Sequence, residues 1–116
     1  MSEQIPQKVL VTGGSGFLGI NLVRHLFAKG VPQVRSLDLV EFDYPEKDRV
    51  EAVVGDIRDA ATVARCMEGV QQVVHTAAAL PLYSPEDIHT TDVVGTRILL
   101  EAARKAGVER FVMISS

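Results

Sequence analysis

Cysteine occurs once, at Cys66, so the chain cannot close an internal disulfide. The opening MSEQIPQK lacks the apolar stretch of a secretory signal. A reducing, cytoplasmic setting is expected on both grounds. There is no basic excess either: 12 Lys and Arg stand against 15 Asp and Glu, for a net charge of -3, and no basic block is long enough to track a phosphate backbone. Nucleic acid is therefore not an expected partner. No apolar run approaches the roughly 18 residues of a membrane span, and the longest, within residues 73–82, is interrupted by His75 and Pro81. A membrane partner is likewise not expected. What remains is a chain of 116 residues, 47% hydrophobic and 23% charged, which suits one globular domain needing neither metal nor disulfide to hold its core.

Strand and helix signals alternate along the chain. Val9, Leu10 and Val11 form a short apolar run that leads into a glycine cluster. Residues 17–29 follow, with Leu18, Leu22 and Leu26 recurring every fourth position, so a strand, a tight turn and an amphipathic helix are predicted. Gly30 and Pro32 end the helix, and residues 34–39 read as a second strand that closes on Asp38. Residues 41–49 are polar and contain Pro45, which predicts a loop with at most one helical turn. Residues 52–54 are a third strand. Asp59 can cap a helix over 60–68, ended by Gly69. Residues 70–76 are a fourth strand. Ser84, Pro85, Glu86 and Asp87 resemble a helix start, with the helix running to Ala106 and stopping at Gly107. In that helix Leu99, Ala102, Ala103 and Ala106 are expected to face inward. Val94 and Ile98 form a second apolar stripe, which suits either a broad core-facing helix or a homodimer contact. Residues 111–114 are a fifth strand. Crossovers of this length give an α/β fold with a doubly wound parallel sheet of Rossmann type in the order 3-2-1-4-5, as a single domain over residues 1–116.

The turn after the first strand reads TGGSGFLG over residues 12–19. It fits G-x-G-x-x-G from Gly14 and G-x-x-G-x-x-G from Gly13, both sharing Gly16 and Gly19. Glycines there let the backbone bend sharply, let a diphosphate approach amides, and let the helix pack closely on the strand. Asp38 lies 19 residues beyond Gly19, where a carboxylate can accept bonds from adenosine ribose hydroxyls. It would repel a 2'-phosphate, and Leu39, Val40 and Glu41 add no cation to hold one, so NAD is favoured over NADP. Asp56 and Ile57 follow the third strand at the same sheet edge, where an adenine would rest.

Six segments in this order resemble the extended short-chain dehydrogenase/reductases, the NAD-dependent epimerase/dehydratase group that includes nucleotide-sugar epimerases and 3β-hydroxysteroid dehydrogenases. They are TGGSGFLG, LDL around Asp38, GDIRD at 55–59, VVHTAA at 73–78, DVVGTRILLEAA at 92–103 and RFVMISS at 110–116. The resemblance implies that Gly13, Gly16 and Gly19, with the amides of Phe17 and Leu18, hold the diphosphate of NAD. It places Asp38 at the ribose, Asp56 and Ile57 at the adenine, and Thr76, Ala77 and Ala78 along the nicotinamide half. His75, in the same motif, reads either as a buried histidine bonded to backbone or as a functional group. Asp92 departs from the Asn usual in the family, and Ile98 replaces another.

In the resembled family, proton transfer rests on a Tyr-x-x-x-Lys pair with a preceding Ser that orients the substrate. Ser116 falls on that serine position. Tyr44 and Tyr83 are followed four residues on by Asp48 and Asp87, so neither supplies the pair. The chain is therefore expected to be the truncated cofactor-binding portion of an enzyme acting on a small-molecule alcohol, binding NAD without turnover and able to homodimerise. A non-catalytic NAD-sensing module is the alternative that the missing Tyr-Lys pair supports. A methyltransferase using S-adenosylmethionine would also place a glycine turn and an acid after its first two strands, but the G-x-x-G-x-x-G spacing and the RFVMISS ending argue against it.

Overall fold

A computed structural model describes residues 5–76 and 90–114. The strands are β1 (Lys8–Thr12), β2 (Gln33–Asp38), β3 (Val50–Val54), β4 (Gln72–His75) and β5 (Arg110–Met113). They form one parallel sheet in the order β3-β2-β1-β4-β5. Helix α1 (Phe17–Ala28) joins β1 to β2, α2 (Ala60–Cys66) joins β3 to β4, and α3 (Thr96–Ala106) precedes β5.

The central strands β1 and β4 read as near-continuous apolar runs because their side chains alternate between two covered faces. Val9, Val11, Val34 and Val74 pack on one face with Ile20 and Val23 of α1. Leu10, Leu37 and Val73 pack on the other with Val63 of α2 and Leu99 of α3. Cys66 is buried in this second core, and the burial pushes its thiol pKa up. Arg35 also points to this side and is only 8% exposed. Its guanidinium donates to the backbone carbonyls of Cys66 (2.6 Å), Glu68 (3.1 Å) and Arg65 (3.4 Å), and to the Glu51 carboxylate. A cation among the last carbonyls of α2 satisfies groups that a helix end leaves open and meets the negative end of its dipole.

The element order and the sheet order agree with the sequence prediction, while several boundaries and faces differ. In α1 the buried line runs through Gly19, Ile20 and Val23, with Leu22 and Leu26 partly buried beside it. Leu18 is 45% exposed, because the close seating of Gly19 on the turn rotates its neighbour to the sheet edge. The predicted loop at 41–49 contains a single 3-10 turn, Pro45–Asp48. Asp59 caps α2 as predicted, its carboxylate accepting from the amides of Ala61 and Thr62, but the helix ends at Cys66 rather than residue 68. Gly30, Gly69 and Gly107 adopt positive φ, 95°, 76° and 77°, which favours glycine at all three predicted helix stops. The predicted start of the third helix at Ser84–Asp87 lies outside the described residues. Its described part opens with a π-helical turn, Thr90–Gly95, which contains Asp92. Leu99 and Ala103 are buried and Ala102 partly so, whereas Ala106 is exposed, since the helix leaves the sheet before its last residue. Of the second stripe, Ile98 packs partly against the core and Val94 stays exposed.

Candidate functional site

The carboxyl ends of the strands are drawn level by backbone bonds that continue each ladder one residue further. Gly55 donates to Asp38 (2.8 Å), Gly13 to Leu37 (2.8 Å), Thr76 to Thr12 (3.1 Å) and Ile114 to His75 (3.0 Å). Along this edge lie the glycine turn, Asp38, Asp56 and Thr76.

Each glycine of the turn answers a different demand. Gly13 takes φ 77°, a left-handed conformation that turns the chain out of β1. A Cβ at Gly19 would come within 1.9 Å of the Gly13 carbonyl oxygen, and one at Gly14 within 2.2 Å of Ser36 Oγ. Both are therefore required by packing. Gly14 opens the G-x-G-x-x-G spacing in the sequence, and the seating of Ser36 beneath it adds a packing demand. Gly16 is different: a Cβ there would meet nothing closer than the Gly13 carbonyl oxygen at 3.5 Å, an ordinary contact. The fold itself leaves room for a side chain at Gly16, and that room faces outward.

Helix α1 begins on this turn with Gly16 at its N-cap, no side-chain cap and no acid in its first turn. The first amides of a helix have no partner within it, so those of Phe17 and Leu18 are available to an external anion, aided by the helix dipole. Helix α2, by contrast, is closed by its own Asp59. The Phe17 side chain projects outward, 86% exposed, and takes no part in either core.

Asp38 ends β2 half-buried beside the turn. Its Oδ2 accepts from the Ser15 amide (3.1 Å) and its Oδ1 from the Val40 amide (3.3 Å). Two amides thus fix the carboxylate while leaving lone pairs on both oxygens. Asp56 is held differently, in a fork with Arg58, whose Nε lies 3.0 Å from each carboxylate oxygen and whose Nη2 lies 2.6 Å from Oδ2. Arg58 and its amide hold the Asp56 pKa below the ordinary carboxylate range, against burial that raises it. The Ile57 side chain is buried in the α2–α3 core, where a Cβ added to Gly95 would come within 2.5 Å of it. What Ile57 offers at the edge is backbone.

Thr76 donates its amide to Thr12 Oγ1 (3.1 Å), and its hydroxyl donates to the Thr12 carbonyl. His75 is 3% exposed, with Nδ1 2.6 Å from Thr12 Oγ1 and Nε2 3.0 Å from Thr96 Oγ1. His75 is buried, with threonine side chains among its partners. It ties β1, β4 and the start of α3 together below the edge. Ala77, Ala78 and Ser116 lie outside the described residues. No group of three or more His, Cys, Asp or Glu side chains suited to a metal ion occurs among the described residues. No described helix is long and apolar enough to cross a membrane.

With this geometry in place, comparison with known proteins gives a consistent answer. The sequence model of the 3-beta hydroxysteroid dehydrogenase/isomerase family matches residues 10–116. The chain belongs to this family. A 3-beta-hydroxysteroid dehydrogenase of Mycolicibacterium neoaurum is 39% identical over 117 residues, which cover 94% of this chain and 32% of that protein. Among solved structures, a variant of uronate dehydrogenase from Agrobacterium tumefaciens complexed with NAD superposes with a TM-score of 0.81 at 33% identity, covering 95% of this chain and 41% of that one. A dTDP-glucose 4,6-dehydratase variant from Streptomyces venezuelae, also with NAD bound, gives a TM-score of 0.79 at 35% identity, covering 93% and 39%. Members of the family and its structural relatives thus include dehydrogenases and a dehydratase named for steroid and sugar substrates. The chain spans about a third of the length of the curated relatives it matches.

Proposed function

We propose that this chain is the NAD-binding portion of an enzyme acting on an alcohol of a nucleotide sugar or a hydroxysteroid-like molecule, and that these residues alone bind cofactor without turnover. The observation that carries the reading is the Asp38 carboxylate, fixed by the Ser15 amide of a glycine turn that has outward room at Gly16. In this reading Gly13, Gly16 and Gly19 shape the turn, and the amides of Phe17 and Leu18 hold the diphosphate. Asp38 accepts the ribose hydroxyls, and its charge disfavours the 2'-phosphate of NADP. Asp56 and the Ile57 backbone lie toward the adenine. Because the Asp56 carboxylate is forked by Arg58, that contact falls to whichever lone pairs the arginine leaves. Thr76, with Ala77 and Ala78, borders the nicotinamide half, and Ser116 orients the substrate hydroxyl. When bound, the nicotinamide exchanges hydride with the substrate carbon.

The uncapped start of α1 and the likeness to NAD-bound relatives support this reading over a methyltransferase. Parallel calorimetric titrations with NAD, NADP and S-adenosylmethionine test it. NAD is expected to bind, and NADP more weakly. Binding of S-adenosylmethionine alone would overturn the proposal.

A further inference from the structure

Tyr44 belongs to no motif, and its loop leaves β2 at Asp38 and returns at β3. Its hydroxyl nevertheless reaches the glycine turn and donates to the Ser15 carbonyl at 2.8 Å. Ser15 is held at two further points, its amide on Asp38 Oδ2 and its hydroxyl on the Val40 carbonyl at 3.2 Å. Since Val40 donates its own amide to Asp38 Oδ1, Ser15, Val40 and Asp38 close a ring of bonds, and Tyr44 is its outer anchor.

The anchor is itself braced. Tyr44 packs edge-on against buried Phe42, with ring centroids 5.2 Å apart. The Arg24 guanidinium of α1 lies 5.9 Å from the Tyr44 ring centroid and pairs with Glu46, at 2.6 Å, in the turn that follows. Arg49, at the end of that turn, stacks 4.0 Å over Phe27 of α1. The loop therefore straps α1 at several points before its tyrosine touches the turn.

We infer that Tyr44 is a positioning residue for the adenosine end of the site: by holding the Ser15 carbonyl it keeps the Ser15 amide against Asp38, and so sets the direction in which that carboxylate meets the ribose. The inference rests on the NAD reading given above. It assigns to Tyr44 a part in orienting the ribose acceptor that no motif in the sequence marks.

The test combines Tyr44→Phe, which keeps the ring and its packing, with Asp38→Asn and the double variant. Amide hydrogen exchange of the ligand-free chain is the first readout. Exchange at Ser15 is expected to rise about tenfold in Tyr44→Phe while Leu10 and Val11 in the core strand stay unchanged. NAD titration of all four proteins is the second. Tyr44→Phe is expected to weaken NAD about fivefold, the effect of one neutral hydrogen bond, but less than twofold once Asp38 is Asn. Unchanged exchange at Ser15, or an equal loss of affinity in both backgrounds, overturns the inference. If none of the proteins binds NAD, the dinucleotide reading fails, and the exchange result alone decides whether Tyr44 holds the turn.

Discussion

The Asp38 carboxylate and the Ser15 amide meet at 3.1 Å across 23 positions of sequence, so the acid that closes β2 is fastened to the turn that opens α1. Strand pairing places them near each other, since Thr12 sits opposite Leu37 and the Gly13 amide bonds the Leu37 carbonyl. The parallel order of β1 and β2 thus brings a glycine turn and a carboxylate to one point at the sheet edge.

If that carboxylate receives ribose hydroxyls, Asp38→Ala should weaken NAD by about 1–3 kcal/mol, the range for hydrogen bonds to a charged acceptor. NADP should lose less, because the same change removes repulsion of the 2'-phosphate. Calorimetric titration of both nucleotides checks this, and an equal loss for the two would sink the ribose assignment.

The glycines separate folding from binding. At Gly16 the backbone is extended, with φ -83° and ψ 172°, and an added methyl meets only an ordinary contact. Gly16→Ala is therefore expected to leave stability within about 1 kcal/mol of the parent, since its unfolded chain is also stiffer. It should nonetheless cut NAD binding at least tenfold, because the methyl occupies the approach to the amides. Gly19→Ala puts its methyl 1.9 Å from a backbone oxygen and should cost about 2–4 kcal/mol. Urea unfolding and NAD titration of both variants distinguish the roles. A Gly16→Ala protein that binds NAD normally would show that nothing needs the space there.

How much of this was legible follows from the range of the interactions. Stops at Gly69 and Gly107, the Asp59 cap and the glycine turn are set by residues a few positions apart, and each was readable. Asp38 was readable because its distance from the turn is fixed by one helix and one strand. Arg35 was not, since nothing in QVRSLD tells that the last carbonyls of a helix 30 residues later will close over it. The threonine partners of His75 lie 63 and 21 positions away, and the turn that Tyr44 reaches lies 29 away, so both contacts exist only once the sheet has formed. Gly14 is legible in the glycine spacing, but its packing demand is not, being set by Ser36 on the neighbouring strand.

Arg35 yields a stability prediction. Arg35→Met keeps most of the buried stem but leaves the buried Cys66 carbonyl and the partly exposed Glu68 carbonyl without their donor. A loss of about 2–3 kcal/mol is expected, reflecting unsatisfied acceptors and a lost favourable charge at the helix end. Equilibrium urea denaturation measures it. A loss under about 0.5 kcal/mol would mean that the helix end finds other partners.

The last prediction concerns pH. Hydrogen bonding to Arg58 holds the Asp56 pKa below its ordinary value, and hydrogen bonding to Arg35 does the same for Glu51. A carboxyl whose folded pKa lies below its unfolded one binds more protons when unfolded as the solution is acidified. Its contribution is therefore complete above the unfolded pKa, about 4, and drains away as pH falls toward the folded value. Stability of the parent should hold between about pH 7 and 5 with respect to these two groups and decline below that. Arg58→Gln removes the partner of Asp56 while leaving the Asp59 cap and the core untouched. It should be less stable than the parent at pH 6, with the gap beginning to narrow as pH falls below about 4, because protonated Asp56 gains little from an arginine. Urea midpoints of both proteins at pH 6, 4.5 and 3.5 trace the narrowing. A stability gap that stays constant over this range would show that Arg58 contributes through something other than its pairing with Asp56.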